Sequence, residues 1–459
     1  MKNEVIKLLK KKSFYIVTLI FVFFCMLTNV VYKVLDDFTH EEEVNIQEIE
    51  RENEELDLTV NEDLLIYVEN LTTLKMEELK NEYSSNNQKY LIEQYLYSTI
   101  YHLYESTYIL KDLELAQEYE LELDQDLHYV ALDNYEYFLN ERIEYLESRV
   151  SATTGIEQER YKKLLDLAIY RLEEQVPYDS ENYLHNSLLF LEENTVEYVN
   201  LLHDDDLTSE EEARMDYLNE QMTLHEYVIE HQEDIFNTSD LRAVLINFSG
   251  EFGLFILIYV IMIAGSIVSE EYTRGTVKSM FTKPYKRRTI LTSKLLVVIL
   301  FVPVIMLFMS LIEILIGGII LGFDSLSVPV VLYIHDTLIT YPVLGYLASL
   351  LLSGIAMYLV IGIVAFMIST ITLSTSAAIT ISFLFYLLAN VISNLALAYD
   401  LPIFKCFVSL YWDFSYLVNH VAQPFDASIL TSILVIAIYL VIMLCLTYVT
   451  FIKKDVKNV

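Results

Sequence analysis

The sequence predicts an all-α membrane protein, with six transmembrane helices and a large acidic helical domain between the first and the second. Two observations lead to this fold class. The 459 residues are 54% hydrophobic, although the chain carries a formal net charge of −35. Residues 36–245 contain 54 Asp and Glu against 13 Lys and Arg, whereas the rest contains 11 against 17. This distribution indicates an acidic soluble insert within an apolar, weakly basic protein.

Six apolar stretches are long enough to cross a bilayer, whose hydrocarbon core of about 30 Å requires about 20 mostly uncharged helical residues. They are residues 14–35, 252–268, 290–322, 343–369, 374–397 and 429–452. The third exceeds the required length, and Pro303 and the Gly317-Gly318 pair are places where it can kink. We therefore divide the chain into residues 1–35, with a cytoplasmic amphipathic segment and the first span, the domain 36–245, and a five-helix transmembrane domain, 246–459.

Basic residues cluster beside the spans in the first 12 residues, in the loop 274–294 and in the tail after Ile452. Lys and Arg near span ends are retained in the cytoplasm. In a chain with six spans, these three segments lie on the same side of the membrane. Both termini are therefore predicted to be cytoplasmic and residues 36–245 extracellular. A signal peptide is the rival interpretation of the first stretch. That stretch is longer than the usual apolar region of about 7–15 residues, and no small-x-small cleavage pattern follows it.

The insert 36–245 is predicted to be a helical bundle or coiled coil of five to seven helices. It contains one glycine, Gly155, and one proline, Pro177, and both lie between periodic segments. It has no cysteine, so its own packing must stabilise it. Two apolar stripes have a helical spacing of three and four. The stripes are Leu132, Tyr135, Leu139, Ile143, Leu146 and Val150, and Tyr161, Leu165, Ala168, Leu172 and Val176.

Capping and turn signals divide the insert further. A helix is predicted to start at Thr208 or Ser209, with Glu211 or Glu212 completing a capping box. The shared face of that helix is predicted to carry Leu218, Met222, Ile229 and Phe236. Turns are predicted at 84–87 and 151–155. Residues 36–63 have the least regular pattern, because blocks of like charge repel one another.

Catalytic and metal-binding motifs are absent from the sequence. It has no G-x-x-x-x-G-K-[ST] loop to bind a nucleotide phosphate and no context for a nucleophile elbow. His225-Glu226 and His231 resemble part of a zinc-protease motif, but that motif needs histidines four residues apart. We predict no catalytic residue, no metal and no nucleic-acid partner.

The loop after the second span is the most informative segment. It reads Ser-Glu-Glu-Tyr-Thr-Arg-Gly-Thr from Ser269 and continues through Pro284 to Lys294. This pattern resembles that of the membrane-spanning permeases of the type-2 ABC export superfamily, in the branch with a large extracellular insertion after the first span. The matching residues are Glu270, Gly275, Thr276, Pro284, Arg287 and Lys294. The resemblance covers residues 1–35 and 252–454 and does not extend through the insert.

This resemblance implies a pair of permeases, identical or related, in the plasma membrane of a bacterium. Each would dock on one of two copies of a cytoplasmic ABC ATPase, which binds the ATP and Mg²⁺, through a coupling helix in the loop 269–289; this chain itself would bind no cofactor. The residues assigned to the coupling loop are Glu270, Glu271, Arg274, Gly275, Thr276, Pro284, Arg287, Arg288 and Lys294. The simpler alternative is that Lys286, Arg287 and Arg288 only anchor the loop to anionic lipid.

Polar residues within the spans are candidates for a translocation path or a dimer contact, because charge in hydrocarbon is costly. They are Glu313, Asn390 and Asn394. Glu313 is alternatively a residue near the outer interface, and the asparagines are alternatively interhelical hydrogen-bonding groups. Residues 400–426, which include Trp412, fit the re-entrant hairpin of such permeases or an interfacial aromatic patch.

The functional hypothesis is ATP-driven export or extraction of a substrate. The net charge of −41 on residues 36–245 favours a cationic or hydrophobic antimicrobial peptide as the substrate, with lipid and sodium ion as rivals. The alternative is a non-transporting receptor or scaffold whose acidic helices bind a partner. A co-purifying ATPase would support the first hypothesis, and full function with an unrelated basic linker in place of the loop would support the second.

Overall fold

The structure is a computed structural model that describes residues 11–37, 46–79, 89–131, 135–178, 182–204, 207–276, 286–399, 402–419 and 428–453. The chain forms two compact units. Met1–Phe38 and Asn237–Val459 make up the first, here called the membrane unit, and Thr39–Phe236 make up the second, the acidic unit. The membrane unit therefore includes residues 237–245, which the sequence analysis assigned to the insert.

Helices dominate the described part of the chain, which agrees with the predicted fold class. In chain order they are α1 (Lys12–Asp37), α2 (Ile46–Glu55), α3 (Asn61–Leu79), α4 (Lys89–Tyr104), α5 (Leu113–Ala131), α6 (Tyr135–Ala152), α7 (Ile156–Glu173), α8 (Tyr183–Leu202), α9 (Ser209–His231), α10 (Leu241–Ile246), α11 (Phe248–Ser266), α12 (Ser269–Thr273), α13 (Arg287–Leu321), α14 (Val343–Thr372), α15 (Thr375–Ala398), α16 (Tyr416–Asn419) and α17 (Ile429–Lys453). A π-helical turn, Glu105–Leu110, follows α4 directly.

Six of these helices, α1, α11, α13, α14, α15 and α17, are long and apolar enough to cross a membrane. The prediction of six spans is therefore confirmed, with small differences in their ends. The third span is one continuous helix of 35 residues with Pro303 inside it. Helix α14 packs against α11, α15, α17 and α13, and α13 packs against α1, so the fourth span is central to the membrane unit.

A β-hairpin connects the third and fourth spans. Strands β1 (Val330–Ile334) and β2 (Thr337–Tyr341) pair in antiparallel register, with Ile334 opposite Thr337. The two turn residues, His335 and Asp336, both have positive φ, 47° and 58°, as a two-residue type I′ turn requires. The sequence analysis did not predict this hairpin, because His-Asp lacks the Asn-Gly or Asp-Gly signature of such turns.

The acidic unit contains eight α-helices in its described residues, α2–α9. The prediction of five to seven was too low, since the charged stretch 36–63 includes the short helix α2. Its core is formed by fully buried side chains from several helices, which are Leu64, Val68, Leu96, Ile100, Phe138, Leu139 and Ala168. The predicted stripes are confirmed where Leu139, Leu146 and Ala168 are buried, whereas Val176 is buried after the end of α7 at Glu173. Leu132 and the predicted turn 84–87 lie outside the described residues.

Local signals in the acidic unit were largely correct. Thr208 and Glu211 form the predicted capping box of α9, and Gly155, with φ of 68°, lies in the turn between α6 and α7. Phe236 was wrongly placed on the face of α9. That helix ends at His231, and Gln232 takes a left-handed conformation that turns the chain back.

Because of this turn, Phe236 contacts His225 instead of extending the helix. The His225 ring lies between the rings of Phe190 and Phe236, with centroids 4.2 and 4.3 Å away, and its Nδ1 has no hydrogen-bond partner. Burial lowers the pKa of His225 from 6.5 to about 4, because a charged imidazolium would lose its hydration there. The folded unit therefore favours neutral His225, which stabilises it above pH 6.5.

This stability is expected to be lost as the pH falls from 6.5 towards 4, where the unfolded chain binds a proton that the folded unit excludes. We expect residues 39–236, expressed alone, to be soluble and helical. When the pH is lowered from 7 to 4, the melting temperature of His225→Phe should fall by several degrees less than that of the wild type. Burial raises the pKa of Asp126 to about 6, so this group stabilises the folded unit as the pH falls. The measurement is therefore the difference between His225→Phe and the wild type, in which the effect of Asp126 cancels. Exposed His203→Phe is the control, and an equal loss in His225→Phe and wild type would contradict the assignment.

Candidate functional site

The segment after the second span is fixed to the fourth and fifth spans at its start. The backbone N–H of Ser269 donates to Ser369 Oγ at 3.1 Å, and Ser269 Oγ lies 2.7 Å from Thr375 Oγ1. The same hydroxyl donates to the Gly265 carbonyl at the end of α11. Ser269 is fully buried. The short helix α12 therefore begins within the membrane unit and is joined to three of its spans.

Glu270 forms ion pairs with two cations. Its Oε2 lies 2.5 Å from Lys11 Nζ and its Oε1 lies 2.5 Å from Arg274 Nη2. Lys11 also donates to Ser266 Oγ at 2.6 Å. Because Lys11 immediately precedes α1, Glu270 connects the beginning of the first span to the loop that follows the second span.

Glu271 forms a second connection, to the third span. Its Oε1 lies 3.5 Å from Lys294 Nζ, and that ammonium group donates to the Ile267 carbonyl at 2.8 Å. Lys294 is 1% exposed and Glu271 is 9% exposed, so their charges depend on each other. Thr276 Oγ1 donates to Glu271 Oε2 at 2.5 Å. The two adjacent glutamates thus bind different spans.

Gly275 follows α12 with a φ of 69°. This left-handed conformation is easily reached by glycine and costs other residues about 1–2 kcal/mol. A Cβ at Gly275 would meet no atom within 4 Å, so the requirement is for the backbone conformation and not for space. The turn directs the chain into residues 277–285. Pro284 lies outside the described residues.

A cavity of about 940 Å³ lies beside this network. Its lining includes Lys11, Ser266, Glu270, Glu271, Arg274 and Thr375. Four of the predicted coupling residues, Glu270, Glu271, Arg274 and Thr276, therefore line one cavity together with the beginning of the first span.

The remaining predicted loop residues are at the start of α13. Arg287 Nη1 donates to the Ile452 carbonyl at 3.0 Å, and Thr292 Oγ1 lies 2.6 Å from Tyr448 OH. Both contacts join the third span to the sixth. Arg288 is exposed, as the lipid-anchoring alternative requires. Arg287 is half-buried and has a protein partner.

The polar residues predicted within the spans are far from the loop. Glu313 is fully buried and accepts a 2.6 Å hydrogen bond from Asn29 Nδ2 on the first span. Asn390 is half-buried and Asn394 is exposed on α15. These three residues do not form a cluster with the coupling residues.

The segment before the last span packs against the membrane unit. In its described part, two 3-10 turns, Pro402–Phe404 and Val408–Leu410, precede α16. Trp412 is 3% exposed, which argues against an exposed aromatic patch. Tyr346 OH donates to Asn419 Oδ1 at 2.7 Å, so this segment is attached to the fourth span.

Sequence reasoning missed three partners of the predicted residues. Lys11 was counted only as a flanking positive charge, and Ser369 and Thr375 were not considered. In addition to these three partners of loop residues, Asn29 was missed as the partner of Glu313, although a single Asn within an apolar stretch is a signal for interhelical hydrogen bonding. No group of three or more metal-ligating side chains occurs in the part of the chain that the structure describes.

Comparisons with known proteins identify a family, and the match runs through residues 36–245, where the sequence analysis found no resemblance. A family model described as ABC-2 family transporter protein matches residues 1–456. The chain is similar to the uncharacterized protein YhcI of Bacillus subtilis (strain 168), with 28% identity over 257 residues, which are 54% of this chain and 80% of that protein. No solved structure matches. A match over nearly the whole chain shows the family: this protein belongs to the ABC-2 family of transporter proteins and is a membrane subunit of a transporter.

Proposed function

We propose that this chain is the permease of an ATP-driven exporter and that the loop 269–289 couples it to a separate cytoplasmic ATPase. The observation that carries the proposal is the pair Glu270–Glu271. These neighbours on a five-residue helix bind Lys11 before the first span and Lys294 in the third. A segment that merely linked two spans would not require two buried or half-buried acids with different partners.

The contacts support a mechanical role for the loop. A displacement of α12 acts on the fourth and fifth spans through Ser269, on the first through Glu270 and on the third through Glu271. Packed elements move as units because protein interiors are dense. ATP-driven closure of the partner ATPases would thus reach four spans from one short helix.

The proposed assembly has two permeases, identical or related, and two copies of the ATPase, which binds the ATP and Mg²⁺. It lies in the plasma membrane of a bacterium, with both termini of this chain and the loop 269–289 in the cytoplasm and the acidic unit outside. Support for this orientation comes from the basic residues beside the loop and the tail.

The proposed substrate is a cationic or hydrophobic peptide, with lipid and sodium ion as the rivals. Residues 36–245 have 54 acidic against 13 basic side chains, and such a field concentrates cations near a surface. A peptide with both positive charge and apolar side chains would be attracted to the acidic unit and also enter the bilayer.

The coupling proposal predicts that Glu270→Gln and Gly275→Ala reduce transport per ATP hydrolysed. Coupling free energies between sites are about 1–3 kcal/mol, so we expect a roughly 5- to 150-fold loss, with insertion into the membrane unchanged. Gly275→Pro should have the larger effect, because proline cannot adopt the positive φ of this turn. The measurement is ATP hydrolysis and substrate efflux in vesicles that contain the complex purified from native membranes.

Gly155→Ala is the control, since Gly155 also has a positive φ, 68°, and its Cβ would also meet no atom within 4 Å. It should strain the acidic unit and leave the coupling ratio unchanged. Unchanged efflux after replacement of the loop by an unrelated basic linker would refute the proposal and favour the receptor or scaffold alternative.

A further inference from the structure

A second polar cluster lies inside the membrane unit, at the end of the spans opposite to the coupling loop. Glu313 is about 39 Å along α13 from Arg287, at 1.5 Å per residue. Its carboxyl Oε1 accepts a hydrogen bond of 2.6 Å from Asn29 Nδ2 on α1, and the Cys25 thiol lies beside the same carboxyl group. All three residues are 0% exposed.

The cluster has more acceptors than donors. Glu313 Oε2 and Asn29 Oδ1 are both buried without a hydrogen-bond partner. Cys25 supplies no positive charge, and Leu241 of α10, which lies against Gly317 beside the cluster, supplies no polar group. Among the described residues, no Lys, Arg or His forms an ion pair with Glu313.

Another acid faces the cluster from the second span. Glu251 on α11 is close enough to Glu313 for their charges to repel each other. Its Oε1 accepts a hydrogen bond of 2.5 Å from Tyr32 OH, while its Oε2 is buried without a partner. Glu251 therefore adds a second carboxyl group near Glu313. Arg242, the base on α10, forms its ion pair with Asp240 at 3.5 Å, and Lys33 on α1 is exposed.

A bare carboxylate in this position would be costly. An unpaired ion inside a protein loses several kcal/mol of hydration, and the remedy is a proton or a bound cation. A hard metal cation takes about six oxygen ligands, whereas Glu313, Asn29 and Glu251 together offer three buried oxygens without partners. One proton on the carboxyl group is enough to remove the charge.

We propose that Glu313 is a proton-binding site, occupied while the first and third spans are packed as they are here. The step is an acid–base equilibrium: a proton from water forms the O–H bond of the carboxyl group, and no other bond changes. Separation of α1 from α13 would expose the group to water and release the proton. Any movement of these two spans is then linked to proton uptake and release. This inference concerns α1 and α13 and does not depend on the proposed role of the loop.

Infrared spectroscopy of the full-length protein in lipid nanodiscs tests the proposal. A protonated carboxyl group has a carbonyl stretch that a carboxylate lacks. We expect this band at pH 7 in the wild type. In Glu313→Gln, the band should lose the intensity of one carboxyl group per chain. Glu251→Gln should retain the band. Asn29→Ala should shift it to higher wavenumber, because the carbonyl loses its hydrogen-bond donor.

The control for folding is the melting temperature of Glu313→Gln, which should equal or exceed that of the wild type, since the amide is a neutral analogue of the acid. If Glu313→Gln does not fold, the shift of the carbonyl band in Asn29→Ala still tests whether Glu313 carries the proton. Equal spectra of the wild type, Asn29→Ala and a folded Glu313→Gln would overturn the proposal. A band that disappears when choline chloride is replaced by sodium chloride would also overturn it, because the occupant would then be a metal cation.

Discussion

Lys294→Met is expected to destabilise the membrane unit by about 3–5 kcal/mol, since it removes a buried cation that lies beside the buried carboxylate of Glu271. The ammonium group of Lys294 lies 3.5 Å from Glu271 Oε1 and donates to the Ile267 carbonyl, so the substitution also leaves that carbonyl without this donor. Methionine preserves much of the apolar volume of lysine, which limits the effect to the loss of charge and hydrogen bonds. The measurement is the temperature at which the protein in detergent loses its monodisperse elution peak.

Two comparisons separate this pair from a general effect of charge. Lys286→Met removes an exposed lysine that lies just before the same helix, and we expect a change within about 0.5 kcal/mol, as is usual for surface positions. The double substitution Lys294→Met with Glu271→Gln should recover part of the lost stability, because no isolated charge remains buried. If the double variant were less stable than Lys294→Met, the two side chains would not act as a pair.

Helices were predictable from the sequence wherever one strong local signal determined them. The spans follow from the length of their apolar stretches, and the start of α9 follows from Thr208 and Glu211. The hairpin between the third and fourth spans was not predictable, because its turn residues, His335 and Asp336, reach positive φ without the usual glycine. The end of α9 was missed for the same reason, since Gln232 takes the left-handed conformation that ends the helix.

The residues of the predicted coupling loop were chosen by their resemblance to a family pattern, but their partners were not predicted. Lys11 and Glu270 are separated by more than half of the chain, as are Asn29 and Glu313. No periodicity or spacing relates two residues that far apart, because their contact depends on how α1 packs against the later spans. Residue types could still be predicted: an acid in an apolar stretch requires a polar partner, and Asn29 is an uncharged polar residue within the first span.

Gly317→Ala is expected to lower the free energy of unfolding of the membrane unit by about 1–3 kcal/mol, the range typical of overpacked cores. A Cβ at this position would lie 2.6 Å from Leu241 Cδ1 and 2.9 Å from Asn29 Oδ1. Both neighbours are 0% exposed, so neither can move away without disturbing its own packing. The expected result is a lower melting temperature and a shift of the Glu313 carbonyl band, because Asn29 is displaced.

Substitutions at two other glycines in the spans test whether the packing of the neighbouring side chains causes the loss of stability expected in Gly317→Ala. Gly318→Ala places its Cβ even closer to an atom, 1.9 Å from Phe323 Cε1. That ring is 49% exposed, however, and rotates towards solvent at small cost, so Gly318→Ala should be less harmful than Gly317→Ala. Gly250→Ala meets no atom within 4 Å and should be neutral or stabilising by up to about 1 kcal/mol, as alanine is in a helix. A ranking in which Gly318→Ala was the most destabilising would show that distance alone, and not the mobility of the neighbour, determines the cost.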